Sequence, residues 1–146
     1  MKNILTGKWV FDSNLLVYFL DEKSSFFEPT KQLFSLIIIK QITGILAHQN
    51  ILEAENVFIT KYKLNKDAVL DSMEKVVDSF YFELISPSAT TFEQFNKLYS
   101  SSTAKTDIYD YYLAATMLDN GINRILTGNS KDFSRIPGIE VVNPFV

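Results

Sequence analysis

Short apolar runs separated by longer stretches with apolar residues every third or fourth position are the feature that most constrains this chain. Residues 8–11 (KWVF), 45–47 (ILA), 81–85, 124–127 (RILT) and 140–142 read as strands. Helical spacing runs over 13–20 and over 29–42, where Pro29 suits a first turn and Leu33, Phe34, Ile37 and Ile38 form the apolar side. Gly44 reads as the break after it. A further helix spans 49–62, with Ile51, Leu52, Val57 and Phe58 expected inside. Another starts at Asn65 or Lys66 and carries Val69, Met73, Val76, Val77 and Phe80. Pro87 closes the strand at 81–85, and 89–99 is helical through Phe92, Phe95 and Tyr99. The helix at 106–120 ends at Gly121, which suits a C′ position. Strands alternating with helices fold as an α/β sandwich around a mainly parallel sheet. Such sheets bind ligands beyond the carboxyl ends of their strands, where the strand order reverses.

A length of 146 residues without repeats or linkers fits one domain, 1–146. With 47% hydrophobic residues, including 12 Phe and 7 Tyr, the chain has material for a packed core and is not a disordered polymer. Its 14 Lys and Arg against 17 Asp and Glu exclude a basic nucleic-acid binder held mainly by phosphate contacts. They do not exclude an enzyme that meets phosphates through metal ions. The absence of cysteine removes disulfides, thiolate zinc sites and Cys nucleophiles. The most apolar run, 33–39, is far shorter than the roughly 20 residues of a membrane span. A soluble cytoplasmic protein with no membrane association is the expectation.

Four acids follow the strands. Asp12 comes directly after KWVF, Glu53 in the helix after ILA, Asp110 early in the helix opened at Thr106, and Asp132 in the loop after RILT, near Asn129. Each has an ordinary structural reading. Asp12 can cap the next helix, Glu53 can sit on a solvated face, and Asp110 can pair with Asp107 in a capping box. Asn129 and Asp132 can be turn formers. Their common placement at one sheet edge argues for convergence instead. Carboxylates that converge raise one another's pKa values unless a cation neutralises them, and hard oxygen ligands suit Mg²⁺ or Mn²⁺; with one His and no Cys, zinc is a poor match.

Three segments carry a family resemblance: FDSNLLVYFLD (11–21), QNILEAENVF (49–58) and IYDYYLAATMLDNGINRILTGNSKDFSRIPGIEVVNP (108–144). Together they resemble the PIN-domain ribonucleases, most closely the VapC-type toxins of toxin–antitoxin pairs, over nearly the whole chain. The resemblance implies a PIN-like three-layer α/β/α sandwich. It implies catalytic, metal-holding acids at Asp12, Glu53, Asp110 and Asp132, with Mg²⁺ or Mn²⁺ as cofactor. Thr127, Asn129 and Asn14 would support the carboxylate geometry. Many relatives have Asp where this chain has Asn129; an amide can coordinate through its oxygen but adds no charge.

On this resemblance the activity is metal-dependent hydrolysis of RNA phosphodiester bonds, leaving a 5′-phosphate and a 3′-hydroxyl. The implied partners are a second copy in a homodimer and a small VapB-like antitoxin occupying the active-site groove. Aromatic-rich helices between Pro29 and Phe80 are the expected groove lining. Lys23, Lys61, Lys63, Lys105 and Lys131 are candidate contacts to the RNA backbone, against their ordinary role as surface charges. His48 reads as a helix-start or packing residue, Trp9 as core, and Tyr109, Tyr111 and Tyr112 as core or dimer interface rather than base-stacking groups. Three alternatives stand beside the toxin: a housekeeping RNA-processing nuclease of the same fold, a catalytically weak protein-binding module, and a phosphotransfer domain using Asp12. The last leaves Glu53 and the TGNSKDF segment without a role.

Overall fold

Five strands, β1 (Gly7–Phe11), β2 (Ile42–Ala47), β3 (Glu83–Ile85), β4 (Arg124–Leu126) and β5 (Glu140–Val142), form one sheet in the order β3-β2-β1-β4-β5. These elements come from the computed structural model, which describes residues 4–103 and 107–146. Every neighbouring pair is parallel. The helices are α1 (Ser13–Leu20), α2 (Phe27–Ile38), α3 (His48–Thr60), α4 (Lys66–Ser79), α5 (Thr91–Ser100), α6 (Ile108–Asp119) and the short α7 (Ser130–Phe133).

The period-two alternation of the strands builds two cores. Trp9 and Phe11 of β1, Ile42 and Leu46 of β2 and Leu126 of β4 pack with Leu15, Phe34, Phe58 and Met73 from α1–α4. Val10, Ile45, Ala47 and Ile125 point the other way, onto Phe95 of α5, Leu113 and Met117 of α6, and Phe133. Both sheet faces are therefore covered, as an all-parallel sheet requires, and the architecture is the expected α/β/α sandwich. Phe34 is the hub of the larger core. It stacks on Phe19 at 4.1 Å and meets Phe11, Phe80 and Phe82 edge-on at 5.3, 5.0 and 5.8 Å. Such ring pairs contribute about 0.5–1.5 kcal/mol each beyond area burial. Among the described residues, no helix is long and apolar enough to cross a membrane.

Several sequence expectations shift. The helix expected over 29–42 ends at Ile38, and Ile42 opens β2. The reversal between them is a Schellman-type cap: Gln41 N donates to Leu36 O at 3.0 Å while Lys40 adopts φ 62°. Tyr81, expected in a strand, holds the same place after α4, at φ 52° with Phe82 N on Val77 O at 3.1 Å. Gly121 closes α6 in the same way at φ 74°, as its identity suggested. Gly44 breaks nothing. It lies inside β2, where a Cβ would run into the Phe82 ring and Ile37. In α3 the buried residues are Asn50, Ala54 and Phe58, while Leu52 is exposed; on α5, Phe92 is exposed as well. Asp132 sits in α7, not in a loop. Lys105 and the expected helix start at Thr106 lie outside the described residues.

The connection after β3 is tied to the end of α6. Ser88, Thr90 and Thr91, after β3, all turn their hydroxyls onto Asp119 at the end of α6. These donors hold the Asp119 carboxyl below the usual carboxylate range.

Candidate metal centre

From β1 the sheet grows to β2 and β3 on one side, then to β4 and β5 on the other, so its order reverses between β1 and β4. Asp12 follows β1 and Thr127 follows β4. Asp12 N continues the ladder to Leu126 O at 3.0 Å, and Thr127 N continues it to Val142 O at 3.1 Å. Across the reversal, Thr127 Oγ1 donates to Asp12 Oδ2 at 2.7 Å. Ser13 N donates to the other carboxylate oxygen at 2.8 Å, so Asp12 is both the cap of α1 and the floor of this edge. Asp12 is only 7% exposed, and Thr127 is fully buried. Burial pushes the Asp12 carboxyl up, and the bonds from Thr127 and Ser13 partly oppose this. Thr127 Oγ1 also accepts from Asn129 N at 2.9 Å.

Asp110, in the first turn of α6, is half-buried. Its carboxyl is pushed up to about 7, first by burial and then by the charges of Asp107, Asp12, Glu53 and Asp132. The carboxylates of Asp107, Asp110 and Asp132 offer oxygens within 4.8 Å of one another. Glu53, in α3, is raised by burial and by Asp12, while a hydrogen bond from Gln49 lowers it. Gln49 Nε2 also reaches Tyr109 O at 2.9 Å and so ties the start of α3 to that of α6. Three of the acids expected from the sequence, Asp12, Glu53 and Asp132, thus lie near enough to perturb the fourth, Asp110. Asp12 and Glu53 stand outside the tightest triad.

Asp107 is the member the sequence reading missed. Its place before α6 suits a helix cap, yet its side chain makes no cap bond. At φ 62° and ψ 50°, a left-handed conformation that Asp tolerates, it offers a carboxylate to the group formed with Asp110 and Asp132. The signal was present as D-x-x-D, because residues three apart at a helix start share a face.

The supporting residues divide. Thr127 is engaged as described. Asn14 lies in the first turn of α1, with its Nδ2 beside Gly128 and its Oδ1 buried without a partner. Asn129 is exposed; its backbone N–H is bound, and its side chain forms no cap bond to α7. Lys23, Lys61, Lys63 and Lys131 are exposed. His48 is the exposed first residue of α3, Trp9 and Tyr111 are core, and Tyr109 is 68% exposed. Of the rings between Pro29 and Phe80, Phe80 lines a groove of about 530 Å³ with Ile37, Ile38 and Ile42. Phe34 and Phe58 are buried, and the groove along α2, about 860 Å³, is lined mainly by aliphatic side chains such as Leu33, Leu36 and Val142.

The donor set fits a hard divalent cation. Five carboxylates converge, and among the described residues no Lys or Arg pairs with any of them. Asp110 Oδ2 is sealed from solvent without a hydrogen-bond partner. An orphaned anionic oxygen among like charges is costly unless it is protonated or coordinated. Asp107, Asp110 and Asp132, with Asp12 and Glu53 beside them, are the residues that could hold Mg²⁺ or Mn²⁺.

No protein-family model matches the sequence, and no curated protein does. Solved structures do match in fold. A chain of a DNA-bound VapBC complex from Salmonella typhimurium is 17% identical with a TM-score of 0.71, the match covering 96% of this chain and 99% of that one. A toxin–antitoxin complex from Klebsiella pneumoniae matches at 22% identity and TM-score 0.64, over 93% and 97% of the two chains. A sarcin-ricin-loop-cleaving VapC toxin from Mycobacterium tuberculosis matches at 12% identity and TM-score 0.62, over 80% and 85%. The sandwich of this chain is the PIN-like fold of these structures.

Proposed function

We propose that this chain, folded like the VapC-type toxins, is a metal-dependent endoribonuclease and the toxin of a VapBC-type pair. The observation that carries the reading is the buried Asp12, locked by Thr127 at the reversal of strand order, beside an acid cluster that no cation of the described chain neutralises. Asp12, Glu53, Asp110 and Asp132 act as the metal-holding, catalytic carboxylates, and Asp107 adds a fifth. A divalent ion bound there would polarise a phosphoryl oxygen, activate water and neutralise the leaving oxygen. The chain's own part is geometric and electrostatic. Thr127 and Ser13 fix both oxygens of Asp12. Gln49 steadies Glu53. Asn129 N–H holds Thr127 Oγ1 so that its proton points to Asp12.

The substrate on this reading is single-stranded or structured RNA, cut to leave a 5′-phosphate and a 3′-hydroxyl. Exposed Lys23, Lys61, Lys63 and Lys131 contact its backbone. A single PIN-like domain, a homodimer, a small antitoxin in the active-site groove and a cytoplasmic location complete the proposal. The complexes of matching fold from Salmonella and Klebsiella support the antitoxin.

The test is cleavage of a small-RNA pool by antitoxin-free protein with Mn²⁺ or Mg²⁺, against EDTA and against Asp12→Ala. Metal-dependent cuts lost in Asp12→Ala are expected. No cleavage by well-folded protein under either metal would overturn the nuclease reading in favour of a binding module. Growth arrest on expression, relieved by a co-purifying small protein, separates the toxin from a housekeeping enzyme.

A further inference from the structure

The turn after β5 stays out of the acid cluster, yet it grips the loop that serves it. Asn143 Nδ2 donates to Gly128 O at 3.3 Å, and Asn143 Oδ1 accepts from Phe145 N at 2.9 Å. The Phe145 ring lies against Gly128: a Cβ there would be 3.5 Å from the ring and 3.6 Å from Asn14 Nδ2. The ring is itself held by Phe26 at 4.8 Å and Tyr18 at 5.7 Å. Gly128, though exposed, therefore has a ring and an amide in van der Waals reach and a hydrogen bond on its carbonyl.

The residues on either side of Gly128 make this grip more than packing. Thr127 and Asn129 are joined to each other, and Thr127 is joined to Asp12. A threonine hydroxyl has one proton. Thr127 directs it to Asp12 Oδ2 while its lone pair takes Asn129 N–H, an arrangement that exists only while the intervening turn keeps its shape. We infer that Asn143, with Phe145, is a positioning residue of the metal centre: it holds the 127–129 turn and thereby aims the Asp12 carboxylate. The functional consequence rests on the nuclease reading above.

The test uses the full chain with Asn143→Ala, Asn143→Asp and Phe145→Leu. Asn143→Asp keeps an acceptor for Phe145 N but exchanges the donor to Gly128 O for a charged oxygen, so it removes that bond with the turn's own bond in place if Asn143→Ala folds poorly. Three quantities are read: Mn²⁺ affinity by calorimetry, hydrogen exchange of the Asn129 amide in metal-free protein, and the KM-against-kcat split on RNA. Loss of a group that orients a ligand typically weakens metal binding about tenfold or more. Both Asn143 variants should show that loss, with faster exchange at Asn129 and lower kcat at unchanged KM. Melting temperature should stay within a few degrees. If the wild type binds Mn²⁺ and both Asn143 variants bind it equally well with unchanged Asn129 exchange, the inference fails while the nuclease reading stands. If the folded wild type takes up no Mn²⁺, both fall together.

Discussion

Asp110 is a carboxyl pushed up to about 7, first by burial and then by the four other acids around it. The consequence for stability has a definite sign. Its folded value is raised, so the folded state binds the proton more tightly than the unfolded chain does. Its contribution is greatest below 3.8 and is lost as pH rises toward about 7. Asp12 and Glu53 are raised too and add in the same direction. The metal-free protein should therefore lose melting temperature between acid and neutral pH, a slope that calorimetry would show reduced in Asp110→Asn. That variant should melt higher than wild type above neutrality while losing Mn²⁺ binding. Asp107 is the largest charge acting on Asp110, so Asp107→Asn should lower the Asp110 midpoint in a ¹³C-detected titration. An unchanged midpoint would mean that the two carboxylates are not neighbours in solution. Thr127→Val removes the buried side-chain donor to Asp12 Oδ2. It should cost about 1.5–3 kcal/mol in urea unfolding, as hydrogen bonds to charged groups do.

Among the elements, what could be read from sequence followed local rules, and what could not depended on contacts across the fold. The acid after β1 and the helix α1 were legible because a strand, a capping Asp and a 3–4 apolar pattern are all local. Gly121 was legible as a C′ residue, whereas Lys40 and Tyr81 play the same part without the glycine that marks it. Tyr81 is 86% exposed, so its side chain returns little for the left-handed backbone it occupies. Tyr81→Gly should stabilise by about 0.5–1 kcal/mol, a small gain because glycine also loosens the unfolded chain. Gly44 misled for the opposite reason: it is required by the Phe82 ring, far along the sequence, and not by a turn. Gly44→Ala should overpack the core and cost about 1–3 kcal/mol, read from the denaturation midpoint. Asp107 was hidden by a local role, the helix cap, that its side chain does not perform.

At the scale of the whole molecule, a net charge of −3 means, on the nuclease reading proposed above, that an RNA substrate would gain little from counterion release. With four exposed lysines assigned to the backbone, the log–log salt dependence of RNA binding should be no steeper than about −3. Filter binding should show Mn²⁺ strengthening the complex of a cleavage-dead variant that retains metal; a steep slope in EDTA would instead reveal a basic surface. The bond that closes the site also has a temporal side. Thr127 and Asp12 are 115 residues apart, and both ladder partners of that edge, β4 and β5, come late in the chain. Contacts of such sequence separation form late, after their loop-closure entropy has been met. A nascent polypeptide shorter than about Thr127 can carry Asp12, Glu53 and Asp110 through the ribosome exit without ever assembling the candidate centre, which has to wait for β4 and β5 to emerge.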